Sequence, residues 1–183
     1  MILKTYEINK VDYLITPDEN FELTLNSSAL DIFTDFKKTA PLVIDQSIDI
    51  VTAEDLMKKT HVKLKLVLND GDFVGTLAYE DLINESTIAQ ATHMRRADIH
   101  VGEVMMPRSH LKAIEFNDVK QAKIRDIVET LKNEGRQHFL VIENAVHHIR
   151  GIFSASDIAR RLHIPIRIDK TSTFIDIYKA LNY

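Results

Sequence analysis

The hydrophobic positions of this chain change period several times, and each change marks an element. Leu64, Leu66 and Leu68 alternate with polar residues, which predicts a strand with one buried face. The turn residues Asn69-Asp70-Gly71-Asp72 and the apolar pair Phe73-Val74 complete a hairpin. Phe139-Leu140-Val141-Ile142 is a continuous apolar run, as in a strand buried on both faces. Further strands are predicted at 41–44 and 113–116, with short ones at 13–15 and 23–25 around a turn at 17–20. Helical spacing takes over elsewhere. Ala29, Ile32, Phe33 and Phe36 form one stripe, opened by Ser27 or Ser28 as a cap. Ala53, Leu56 and Met57 predict a short helix to Lys59. Ile124, Ile127, Val128 and Leu131 predict a long one from about Val119 to Asn133, with Gly135 at its C-terminal cap. Ala155, Ile158, Ala159 and Leu162 give another stripe, and Phe174, Ile177, Tyr178 and Leu181 the last.

One pattern occurs twice. Gly75-Thr76-Leu77-Ala78-Tyr79-Glu80-Asp81 returns 76 positions later as Gly151-Ile152-Phe153-Ser154-Ala155-Ser156-Asp157. Each time a glycine ends an apolar hairpin and an aspartate follows in the first turn of a helix. The flanking elements repeat too, so the chain reads as two copies of a strand–helix–strand–strand–helix unit. A unit of about 60 residues holds little core alone, which predicts that the two pack face to face. The polar stretch from Ser86 to Pro107 reads as a connecting helix running into a loop.

Composition narrows the function. Of 183 residues, 45% are apolar and 27% charged, as in a soluble globular protein, and the net charge of −4 argues against a general nucleic-acid binder. The absence of cysteine excludes disulfides, thiolate metal sites and cysteine catalysis. No apolar stretch approaches the ~20 residues of a membrane span, and the start shows no secretory pattern, so a cytoplasmic protein without membrane insertion is expected. Five glycines leave little room for a phosphate-binding loop, and no Gly-x-Ser-x-Gly elbow is present, so no catalysis is expected. Adjacent His147 and His148 would point to opposite faces of a strand, so no metal site is expected and they read as a polar hairpin tip.

The stretch Val101 to His163 resembles a CBS domain. Its opening, Val104-Met105-Met106-Pro107-Arg108, matches the family's apolar-Met step, and Gly151-Ile152-Phe153-Ser154-Ala155-Ser156-Asp157 fits the family's closing pattern at each defined position. The first copy, about Leu30 to Asn84, is the weaker match: Ala78 stands where a hydroxyl residue is usual, and its opening lacks a Met-x-Pro step. Together they resemble the tandem pair called a Bateman module. The fold so implied is α+β (α/β-like), two CBS-type units packed as a pseudo-symmetric pair. The expected boundaries are an N-terminal extension at 1–29, a first CBS domain at 30–90, a connecting segment at 91–100, a second CBS domain at 101–165, and a C-terminal strand and helix at 166–183.

The resemblance implies a regulatory module that binds an adenosine-containing ligand (AMP, ADP, ATP or S-adenosylmethionine) between the paired domains, with no obligatory cofactor. It also implies a homodimer through the CBS pairs and a regulated protein partner. A ligand-free protein-interaction scaffold is the alternative. Ser154 suits a phosphate oxygen and the ionised Asp157 two ribose hydroxyls. Leu111 to Ile114, with His138, Phe139 and Leu140, would form the adenine slot. Asp81 is the first copy's counterpart, and Arg108, Arg136 and Arg160 are candidate phosphate contacts. Each has a second reading. Ser154 and Asp157 also make a helix cap worth about 1 kcal/mol. Asp81 is equally a plain helix-start aspartate, and Arg160 lies one turn from Asp157, at ion-pair spacing.

Overall fold

The computed structural model describes residues 5, 7, 23–84, 95–164 and 174–181. The first unit runs β1 (Thr34–Asp35), β2 (Val43–Asp45), α1 (Ile50–Lys59), β3 (Leu64–Asn69) and β4 (Asp72–Ala78), then α2, the helical residues 79–84. The second follows as α3 (Val101–Val104), β5 (Met106–Pro107), β6 (Ala113–Glu115), α4 (Phe116–Gln121) and α5 (Ile124–Leu131). It ends with β7 (His138–Glu143), β8 (His148–Ser154) and α6 (Ala155–Arg161), beyond which lies α7 (Phe174–Leu181).

Two four-stranded sheets carry these elements, in the orders β2-β3-β4-β5 and β6-β7-β8-β1. Within each, the first pair is parallel and the other two are antiparallel. The hairpins even share an irregularity, a register shift at Val67/Leu68 in one and at Val141/Ile142 in the other. The fourth strands are exchanged: β1 opens the first unit in sequence yet closes the second unit's sheet, while β5 opens the second unit in sequence yet closes the first's. The repeated glycines sit where the exchanged strands arrive, Gly75 opposite Pro107 and Gly151 opposite Asp35. A Cβ on Gly75 would collide with the Met106 carbonyl, and one on Gly151 with the Thr34 carbonyl and the Phe33 ring. Close approach of a neighbouring backbone thus explains both glycines.

β1 is also clamped electrostatically. Arg150 donates from Nε and Nη2 to the two oxygens of Asp35, both at 2.8 Å, and from Nη1 to Glu143 at 3.0 Å. Its guanidinium lies 4.2 Å from the centre of the Phe116 ring. This fork holds the Asp35 carboxyl down to about 2.

Each unit has a core of its own, completed by borrowed segments. Ile50, Met57, Val67, Leu77 and Leu82 pack with Ile99 and Val101 from the segment before β5. Leu131, Phe153 and Ile158 pack with Ala29 and Ile32 from before β1, and with Ile177 of α7. Borrowed segments thus add to each unit's core, while Leu66 and Leu140, buried outside both cores, line the cavities that the two units share.

Two predicted helices are broken by tertiary backbone pairing. The 29–36 stripe is only a 3-10 turn, Ala29–Ile32, capped by Ser28 through the Leu30 N–H at 3.2 Å. Beyond it Thr34 and Asp35 pair with β8, and Phe33 packs on Phe153 with ring centres 5.4 Å apart. The long 119–133 helix is interrupted at Ala122-Lys123, where the Ala29 N–H donates to the Ala122 carbonyl and the Ile124 N–H to the Ser27 carbonyl. Gly135 takes the expected left-handed cap at φ +65. Residues 23–25 form no strand. The expectations for 13–15 and 17–20, and residues 86–94 of the 86–107 connector, lie outside the described residues. Within that connector, 95–107 hold a 3-10 turn, α3 and β5.

Candidate functional site

Both junctions start a helix directly from a strand, and they anchor its first N–H alike. The Tyr79 N–H donates to the Lys63 carbonyl at 2.9 Å, and the Ala155 N–H to the Gln137 carbonyl at 2.8 Å. They divide the next cap. In α6 the Ser154 Oγ accepts from the Asp157 N–H at 3.4 Å, whereas in α2 the Asp81 carboxylate accepts from the Ala78 N–H at 2.9 Å. Each junction thus holds one half of a capping box. Asp157, relieved of backbone duty, pairs with Arg160. Burial pushes the Asp81 carboxyl up, opposed by its Ala78 hydrogen bond and the Arg136 charge.

A cavity of about 390 Å³ opens beside α6, with Ser154, Ser156, Asp157 and Arg160 on one side. Its other wall belongs to the first unit: Thr39, Ala40, Leu42, His61, Val62 and Lys63. A second cavity of about 210 Å³ is built the opposite way, from Ala78 and Asp81 with Leu111, Lys112, Arg136 and Phe139 of the second unit. Leu64, His138 and Ile152 line both. Desolvation pushes the His138 imidazole down to about 4, against the pull of the Asp157 carboxylate, so the ring is neutral at pH 7.

The ten residues singled out from sequence therefore do not form one site. Ser154, Asp157 and Arg160 share the larger cavity, and Asp81, Leu111, Arg136 and Phe139 share the smaller. His138 belongs to both. Arg108 lines neither and faces a third cavity of about 300 Å³. Ile114 packs against the second core instead of lining a slot. The expected adenine slot at 111–114 and 138–140 lies mainly with Asp81, because each cleft takes its helix start from one unit and its facing wall from the other. The wall that faces Ser154, at Thr39 to Leu42 and His61 to Lys63, went unnoticed in the sequence. Its signal was the repeat itself, which sets Leu64 in register opposite Ala78 just as His138 is set opposite Ser154.

A family model of the CBS domain matches residues 33–87, the unit that the residue patterns ranked the weaker. No curated protein matches the chain. Among solved structures, an uncharacterized conserved protein from Pyrococcus horikoshii is 19% identical over 79% of this chain and 98% of its own, with a TM-score of 0.59. CBSX2, solved in complex with AMP, is 19% identical over 73% of this chain and 94% of its own, with a TM-score of 0.51. A conserved CBS domain protein from Thermoplasma acidophilum is 15% identical over 82% of this chain and 77% of its own, with a TM-score of 0.55. Exchanged strands, duplicated junctions and these likenesses define an α+β fold of two paired units. Residues 33–87 thus match the CBS domain, and the chain as a whole has the fold of paired CBS units. No helix among the described residues is long and apolar enough to cross a membrane.

Proposed function

We propose that the chain is a regulatory, non-catalytic and cytoplasmic module that binds an adenine nucleotide in the Ser154–Asp157 cleft and passes the resulting change to a protein partner. The observation that carries this reading is the 390 Å³ cavity walled by both units. It falls within the ~300–1,000 Å³ of small-molecule sites, and the 210 Å³ Asp81 cleft falls below it. The residues present fit such a ligand. Ala40, Leu42, Val62 and Leu64 offer an apolar wall for a base, while Arg160, Lys63 and the Ser154 and Ser156 hydroxyls suit phosphate. Asp157 suits ribose hydroxyls once Arg160 turns to the phosphate. A ligand gripping both walls favours one relative placement of the units, which is the differential affinity that regulation requires. That CBSX2 was solved with AMP supports the ligand class. The reading includes the domain boundaries given above and a homodimer through the CBS pairs.

A second reading, a ligand-free interaction scaffold, is favoured by exposed apolar side chains on the first unit's helices, Val51, Leu56 and Ile83. Calorimetric titration with AMP, ADP, ATP and S-adenosylmethionine separates the two. One nucleotide should bind, and a hundredfold excess over its Kd should add about 2.7 kcal/mol of stability. Asp157→Ala should weaken it about tenfold or more, the loss of charge-assisted hydrogen bonds, and Asp81→Ala much less. Equal losses would reverse the cleft assignment, and silence from all four ligands would leave the scaffold.

A further inference from the structure

We propose that the third cavity is a separate binding site for a compact organic anion, an apolar body bearing one carboxylate or phosphate group. The cavity measures about 300 Å³ and lies between the tips of the two hairpins. Phe73 of β4 and Leu140, Ile142 and Ile149 of the second hairpin form its apolar surface. Arg108, His147 and His148 bring the polar groups, all three exposed. At the low end of ligand-site volumes, it suits a single ring or short chain more than a nucleotide.

The charges point the same way. Arg108 makes no ion pair with a carboxylate among the described residues, and so it is the cavity's uncommitted cation. Lys112 is already held by both oxygens of Glu134, at 3.0 and 3.1 Å. The acid that lines the cavity, Glu143, is neutralised by Arg150 at 3.0 Å and by Lys37 at 3.7 Å. An arginine fork and imidazole N–H groups over an apolar surface recognise a carboxylate or phosphate attached to a hydrophobic body.

The duplication supplies an internal control. The hairpin pair Glu143–His148 of the second unit corresponds to Asn69–Asp72 of the first. There the turn carries Asp70 and Asp72, which would repel an anion. The turns differ in length as well as charge: two residues, Asp70 and Gly71, join the first pair, whereas the second is joined by a 3-10 turn, Asn144–Val146, that ends at His147 in the left-handed region at φ 55. The two histidines form the hairpin tip, as expected, but do not share a strand: His147 closes the 3-10 turn and His148 opens β8, and both line this cavity. It shares Leu111, Lys112 and Leu140 with the Asp81 cleft and no residue with the Ser154 cleft.

Phenyl phosphate and benzoate, titrated into the full chain and followed by amide NMR, provide the test, with phenol and inorganic phosphate as controls. The two organic anions should saturably shift the signals of Arg108 and 147–149, with phenol and inorganic phosphate clearly weaker. Arg108→Gln should weaken the shift about tenfold, one charge-assisted hydrogen bond, without altering the melting temperature. Excess AMP should leave the titration intact. Shifts confined to the other two cavities, competition with AMP, phenol binding equally, indifference to Arg108→Gln, or no saturable shift would each overturn the proposal. The nucleotide titration is a separate measurement, so failure of either reading leaves the other standing.

Discussion

At Gly151–Asp157 a serine caps the helix and leaves the aspartate spare. At Gly75–Asp81 alanine replaces the serine, and the aspartate does the capping itself. Both helices start equally well, because a capping box satisfies the first turn from either end. The difference lies in which carboxylate remains for other partners. Asp157 stands in the larger cavity paired with the exposed Arg160, whereas Asp81 is fixed to the Ala78 N–H and half-buried. A duplicated fold can thus keep its helix starts while changing which side chain caps them.

The glycines offer the strongest way to break this comparison. Gly151→Ala should destabilise by about 3 kcal/mol in urea unfolding, since the new methyl meets both a backbone carbonyl and the Phe33 ring in a packed core. Gly75→Ala should cost about 2 kcal/mol. There the new methyl meets the Met106 carbonyl and, at 3.0 Å, the flexible Met105 Sδ. If both cost under about 1 kcal/mol, the exchanged strands are not seated as described.

His138 sharpens the comparison through pH, because its counterpart in the first unit is Leu64. Its folded pKa lies below that of the unfolded chain, so the unfolded state binds the extra proton between about pH 6.5 and 4. Stability should therefore fall as pH drops through that window. His138→Leu should remove part of the loss, about 1–2 kcal/mol at pH 5 once residual solvent contact of the ring is allowed for. An unchanged acid limb in the variant would show that His138 is not desolvated between the cavities.

The smallest effect addresses the caps directly. Ser154→Ala should cost about 1 kcal/mol, while Ala78→Ser should change stability by less than about 0.5 kcal/mol, because Asp81 already fills that role. A gain from Ala78→Ser as large as the loss from Ser154→Ala would mean that Asp81 does not cap α2.

Much of this was legible in the chain. Period-2 patterning located β3, and the apolar run located β7. Helical spacing located α1, α5, α6 and α7, because these elements depend on neighbours a few residues away. The stripe at Ala29 to Phe36 misled, since its residues face a core through a 3-10 turn and a strand. The run from Val119 misled because Ala122 and Lys123 give their backbone to residues 27–29, nearly a hundred positions earlier. Among the candidate site residues, Ser154, Asp157 and Arg160 stayed together because they lie on one helix start. Arg108, Ile114, Leu111 and Arg136 were placed by long-range packing and went elsewhere.

By itself the sequence determined the two units, their order and the asymmetry of the two junctions, all of which rest on residue type and short-range spacing. Only the tertiary structure decided that the fourth strands are exchanged and that the repeated glycines exist to receive them. It alone paired each helix start with a wall from the other unit, and so divided ten candidate residues among different places. Local periodicity encodes which face of an element is apolar. It carries no information on which distant segment will cover that face, because that choice is made by close packing and backbone pairing across the whole chain.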